Sequence, residues 1–192
     1  TPLIKRIATL KLTPAQTQAL ANISPYYRKV MGENRYNSYA AANAFLYASH
    51  AKERNRRIKQ LSRSKDVKGS GMPDTEADAI LAWVRGLSPQ QRADFDFIKL
   101  SARNIVKQTN DVYIKGDLIP DYLSQDVTLP DGTVEAFTEY SDYVPLTGFA
   151  DADQEAVDTR GGGGGKAAFG ALSKPNRSAV GRESYAGDIL AN

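Results

Sequence analysis

The chain has 192 residues, 41% of them apolar, with no cysteine and a single histidine. That suffices for one small helical domain with a modest core and appendages, and it excludes a disulfide framework and a thiolate metal site. Residues 1–73 carry 14 Lys/Arg against 3 Asp/Glu, residues 74–158 carry 6 against 17, and residues 159–192 carry 5 against 2, so the net charge of +3 conceals two blocks of opposite sign. These blocks imply unlike surfaces that meet each other or meet different partners.

Thr13-Pro14 is a helix entry, because Thr caps free amides and Pro at the first helical position forfeits no hydrogen bond. A short helix to about Ile23 follows, and Ser24-Pro25 repeats the signal. Residues 36–65 contain neither Pro nor Gly and are rich in Ala, Arg and Lys, which predicts a long helix. At about 100° per residue, Ala44, Tyr47, Ala51, Ile58 and Leu61 share one side, and Lys52, Arg56, Lys59 and Arg63 form a basic stripe on another. Residues 68–71 then break the helix as a loop.

Asp74 opens a third long element whose apolar face holds Ala77, Ile80, Leu81 and Val84, with Trp83 as an anchor and Gly86 as its end. Ser88-Pro89-Gln90-Gln91 combines a cap, a first-position Pro and a Gln three residues on, the pattern of a capping box. In the helix it starts, Phe95, Ile98, Ala102, Ile105, Val106, Thr109 and Val112 form a continuous stripe to about Lys115, predicted to pack on the earlier helices.

After Gly116 the composition turns β-branched and aromatic. A hairpin is expected over residues 127–137 across Pro130-Asp131-Gly132, followed by an extended strap over 140–149 that Pro145 holds open. The acidic residues 151–158 lead into Gly161–Gly165 and a tail rich in Ser, Gly, Ala, Lys and Arg. That composition predicts a segment that is flexible or orders only on a partner. The expected organisation is mainly α: a helical bundle over 1–115, a hairpin and strap over 116–150, and an acidic patch, glycine-rich linker and flexible tail over 151–192.

No catalytic constellation emerges. His50 has no second His or Cys at ligand spacing and no Ser-His-acid context, so it is expected to be a partly buried structural imidazole. Asp74, Glu76 and Asp78, like Asp94 and Asp96, stand two apart on different helix faces and suit the positive end of a helix dipole. The acidic stretches lack the glycine and terminal Glu of a calcium loop. The glycine run lacks the Gly-Lys-Ser/Thr ending of a phosphate loop, since Ala167 follows Lys166. Catalytic residues, metal ligands and cofactors are therefore all assigned as none, and no small-molecule substrate is implied. The basic stripe Lys52, Arg56, Lys59 and Arg63, with Arg54, Arg57 and Lys65 beside it, has two readings: contacts to nucleic-acid phosphates, or a face turned to protein or solvent. No stretch approaches the ~18 apolar residues of a membrane span, and the start lacks a signal-peptide pattern. The opening at Thr1 without methionine is expected of a piece of a longer chain.

The segment Asp142-Tyr143-Val144-Pro145-Leu146-Thr147-Gly148-Phe149, after a Pro-Asp-Gly hairpin and a helix ending in Tyr113-Ile114-Lys115, resembles a recurrent element of very large phage polyproteins. These proteins are packaged in the virion and ejected with the genome, and they include the giant virion RNA polymerases of short-tailed phages. The similarity spans about residues 90–150, with Thr147 where that element carries a basic residue. It implies a non-catalytic region of such a protein, located in the virion and, after ejection, in the host envelope or cytoplasm. Implied partners are other virion proteins, such as a portal or internal proteins, with packaged DNA as the alternative. No nucleotide or metal motif of the polymerases can be placed here. From the residues themselves, Tyr143, Val144, Pro145, Leu146 and Phe149 form a strap whose apolar side chains pin it across the helices.

Overall fold

The computed structural model describes residues 1–33, 36–61, 69–115, 126–128, 132, 134–136, 185, 187 and 189–191. Within them the protein is mainly α-helical, with α1 Pro2–Thr9, α2 Pro14–Ile23, α3 Pro25–Gly32, α4 Asn37–Leu61, α5 Asp74–Arg85 and α6 Pro89–Lys115. Two three-residue strands, β1 Asp126–Thr128 and β2 Val134–Ala136, pair antiparallel with Val127 opposite Glu135. A 3-10 turn, Ile189–Ala191, closes the described chain. The remainder of the expected hairpin, the strap with Tyr143, Val144, Pro145, Leu146 and Phe149, and the glycine run lie outside the described residues.

One local device starts four of the helices: a hydroxyl side chain followed by Pro at the first helical position. Thr1 accepts from Ile4 N, Thr13 from Gln16 N, Ser24 from Tyr27 N and Ser88 from Gln91 N. At Thr13 and Ser88 the fourth residue returns the bond through its Gln side chain, which completes a capping box and satisfies two amides at once. Helix α1 was not expected from the sequence, although Thr1-Pro2 carries the same signal; Leu3 and Ile7 hold it on the core.

Helix α4 is the centre of the bundle and touches each of the other five helices and the terminal 3-10 turn. The two-sided pattern expected along it does not hold between Ala40 and Ala48; the side chains of Ile58 and Leu61 lie outside the described residues. From Ala40 to Ala48 every residue is buried, because Ala40, Ala41, Ala42, Ala44 and Ala48 are small enough for neighbours to approach from several directions. Of the predicted stripe of α6, Phe95, Ile98 and Ala102 are buried and Ile105 is 45% exposed, while the side chains of Thr109 and Val112 lie outside the described residues.

Trp83 anchors α5 as expected, donating Nε1 to Gln16 O at 3.1 Å, and its ring meets Phe95 edge-on at 5.8 Å, with Phe45 on another side of Phe95 at 5.1 Å. Among the described residues no helix is long and apolar enough to cross a membrane.

Because Phe95 is fully buried between two rings, Phe95→Ala is expected to cost about 3–5 kcal/mol in urea unfolding. Leu100→Ala, four to five residues on and 55% exposed, should stay within about 0.5 kcal/mol of the parent chain.

Candidate functional site

The second half of α4 carries the basic stripe. Lys52, Arg56 and Lys59 are all exposed; Arg63 and Lys65 lie outside the described residues. Lys52 is already engaged, since its Nζ lies 2.8 Å from Asp78 Oδ1 on α5. That hydrogen bond, and the Asp78 charge behind it, raise the Lys52 pKa above its ordinary value. At this point the basic block meets the acidic block of the same chain. Arg6 and Asp94 do so again at 3.0 Å, with the Arg6 guanidinium also 4.7 Å from the Phe97 ring centre.

The acids at the start of α5 were expected to serve chiefly the helix dipole. Asp74 and Glu76 lie in the first turn of α5, and the three acids also meet three different sets of partners. Asp74 Oδ1 accepts from Asn55 Nδ2 at 2.7 Å, Asp78 holds Lys52, and Glu76 is buried. Glu76 Oε1 accepts from Ser24 Oγ at 2.9 Å and from Tyr26 N at 3.0 Å, while Oε2 accepts from the Tyr185 hydroxyl at 2.6 Å. Its carboxyl group thus lies where the N-terminal ends of α3 and α5 converge, and both helix dipoles favour an acceptor there. Sequence spacing revealed the acid at a helix start but not its burial or its remote donors.

Tyr185, Gly187 and Ile189–Ala191 of the expected flexible tail meet the helical body; the rest of that tail lies outside the described residues. Tyr26 donates its hydroxyl to Gly187 O at 2.9 Å, and Asn43 Oδ1 accepts from Ile189 N at 2.8 Å and Leu190 N at 3.2 Å. The Tyr185 ring joins Tyr26 at 5.5 Å and Tyr47 at 6.4 Å, and Ile189 is buried in the core. Burial, reinforced by the bond to Glu76, pushes the Tyr185 phenol well above its ordinary pKa. The physical reason for docking is that this end of the tail supplies an aromatic ring and Ile189 to an apolar cleft, and a hydroxyl to a buried acceptor.

The loop between α4 and α5 is held by the same kind of side chain. Asn55 Nδ2 donates to Met72 O at 2.9 Å, Asn55 Oδ1 accepts from Ser70 N, and Tyr47 donates its hydroxyl to Ser70 O. Gly69 stands there with φ +88°, and a Cβ on it would fall 2.5 Å from Asn55 Oδ1. A shallow cavity of about 270 Å³ opens elsewhere, between α2, α3 and the start of α4, and is lined in part by Ala21, Tyr27 and Met31.

His50 is 1% exposed, more deeply set than expected. Burial, with the Arg54 charge adding to it, lowers its pKa to about 4, and the Glu53 carboxyl group 3.9 Å from Nδ1 does not offset the loss of solvent. Among the described residues no three His, Cys, Asp or Glu side chains converge to hold a metal ion. Neither a family model, a curated protein nor a solved structure matches this chain.

Gly69→Ala should destabilise the chain by about 1–3 kcal/mol in thermal or urea unfolding, through a left-handed φ and the clash with Asn55. For His50 the folded pKa lies below the unfolded value near 6.5, so the unfolded chain binds the extra proton between them. Its contribution is complete above about pH 6.5 and is lost as pH falls towards 4, in total about 3 kcal/mol. His50→Gln should flatten the stability profile across that interval, read as the difference between the two urea-unfolding curves against pH.

Proposed function

We propose that this chain is a non-catalytic structural and interaction module of a large phage virion protein that is ejected into the host with the genome. The helical body makes protein contacts, with other virion proteins such as a portal or internal proteins as its partners. The hairpin, the strap around Tyr143–Phe149 and the glycine-rich interval tie that body to its surroundings. The module resides in the virion and passes to the host envelope or cytoplasm on ejection.

The observation that carries this reading is what the buried polar side chains hold. Glu76, Asn43 and Asn55 bind backbone and side chains of the chain itself: Ser24, Tyr26 and Tyr185; Ile189 and Leu190; Ser70, Met72 and Asp74. Such groups position segments of protein. The resemblance of residues 142–149 to the repeated element of ejected phage polyproteins supplies the biological setting.

A second reading rests on Arg56 and Lys59, exposed one turn apart on α4. With Lys52 and Arg63 they would follow a nucleic-acid backbone through phosphate contacts alone. Lys52 must then leave Asp78 or share it, which weighs towards the protein-contact reading.

The test of the leading proposal is intact mass of the native polypeptide in purified virions, with peptide mapping of these residues. A parent far larger than 20.9 kDa, recovered from virions and from infected host envelopes or cytoplasm, is the expected result; a free cellular protein of that mass defeats it. For the second reading, Arg56→Glu with Lys59→Glu should lower DNA affinity and reduce the slope of log affinity against log salt by about 2. DNA binding that is absent, or indifferent to salt, removes that reading.

A further inference from the structure

The groove between α3, α4 and α5 meets residues 185–191 in three chemically distinct ways. Glu76 accepts a phenol hydrogen bond at 2.6 Å, Tyr26 donates to the Gly187 carbonyl at 2.9 Å, and Asn43 accepts from the two successive amides of Ile189 and Leu190. Below these lies an apolar floor that buries Ile189. Each receiving group belongs to the helical body, and the whole of residues 116–184 separates that body from the segment it holds.

We propose that this groove is a peptide-recognition site for a short segment of the pattern Tyr-x-Gly-x-Ile-Leu, with residues 185–191 as its ligand in cis. The segment releases and rebinds as a unit while the body remains folded. The receiving groups are built for that. With the segment gone, Glu76 keeps Ser24 Oγ and Tyr26 N, and Asn43 keeps its bond to Tyr39 O. The hydrogen bonds given up are those of Glu76 Oε2 to Tyr185, Asn43 Oδ1 to Ile189 and Leu190, and the Tyr26 hydroxyl to Gly187, and water entering the opened groove replaces them. The rest of the buried core, from Leu3 through Phe95 and Ile98 to Ala102, comes from the helical body. Recognition is specific because the phenol, the bare Gly187 backbone and the paired amides of a helical turn must arrive together. Release leaves the groove open to a segment carrying the same groups.

The experiment uses the full chain with Tyr185→Ala and Ile189→Asp, which empties the groove, and a fluorescent peptide of residues 181–192 as probe. Folding of the variant is checked by circular dichroism and cooperative urea unfolding. The peptide is expected to bind this variant saturably, and to bind the parent chain at least about tenfold more weakly, because the tethered segment competes at high effective concentration. A probe with Tyr185→Phe, which touches nothing in the body's own fold, should lose about tenfold or more in affinity, and a probe with Ile189→Asp should not bind. Equal binding of all three probes, or no binding to a folded variant, overturns the proposal, as does failure of the variant to fold. Hydrogen exchange on the parent chain gives an independent measure. The Ile189 and Leu190 amides should be protected yet exchange with less denaturant dependence than the amides of residues 44–48. Exchange of both sets only through global unfolding, or no protection at 189 and 190, overturns it equally.

Discussion

A carboxyl group withdrawn from water must be met by donors, and Glu76 is met by three that come from places far apart in the chain. Ser24 and Tyr26 bring the start of α3 against the first turn of α5, so that two helix ends share one acceptor. Tyr185 brings the end of the chain to the same point. Ser24 is used twice, since its hydroxyl donates to Glu76 while accepting from Tyr27 N. The cap of one helix and the burial of another helix's acid are therefore one network.

Around that network the bundle is organised by a helix with no exposed face over much of its length. Amphipathic analysis assumes that a helix has one dry side and one wet side. Between Ala40 and Ala48, α4 has none of the latter, and alanine is what permits it: short side chains admit helices, and the C-terminal turn, from all around. Three polar side chains in this stretch and just beyond hold other segments in place. Asn43 holds the terminal turn, and Asn55 and the Tyr47 hydroxyl hold the α4–α5 loop. The same helix then emerges into solvent at Lys52, Arg56 and Lys59, so that a single element is core at one end and charged surface at the other.

Among the described residues, basic and acidic blocks meet at Lys52–Asp78 and Arg6–Asp94, one pair largely exposed and the other partly so. Pairs of that kind contribute about 0–1 kcal/mol and weaken with salt. Apolar burial around Tyr26, Tyr47, Phe95 and Ile98, and the satisfied polar groups beneath the tail, account for the architecture.

The amino-acid sequence by itself determined where most helices begin and end, because those signals act within four residues. Thr13-Pro14, Ser24-Pro25, the Ser88 and Gln91 capping box, the break near Gly69 and the end at Gly86 each satisfy or terminate backbone hydrogen bonds locally. The apolar period over Ala77, Ile80 and Val84, or Phe95, Ile98 and Ala102, similarly named the faces that are buried. Only the tertiary structure decided that α4 is buried all round between Ala40 and Ala48, and that Glu76 and Asn43 anchor Tyr185, Ile189 and Leu190. The second outcome depends on partners more than 100 positions away, and a polar residue at a helix start or an aromatic in a polar tail has the same local chemistry whether or not such a partner arrives.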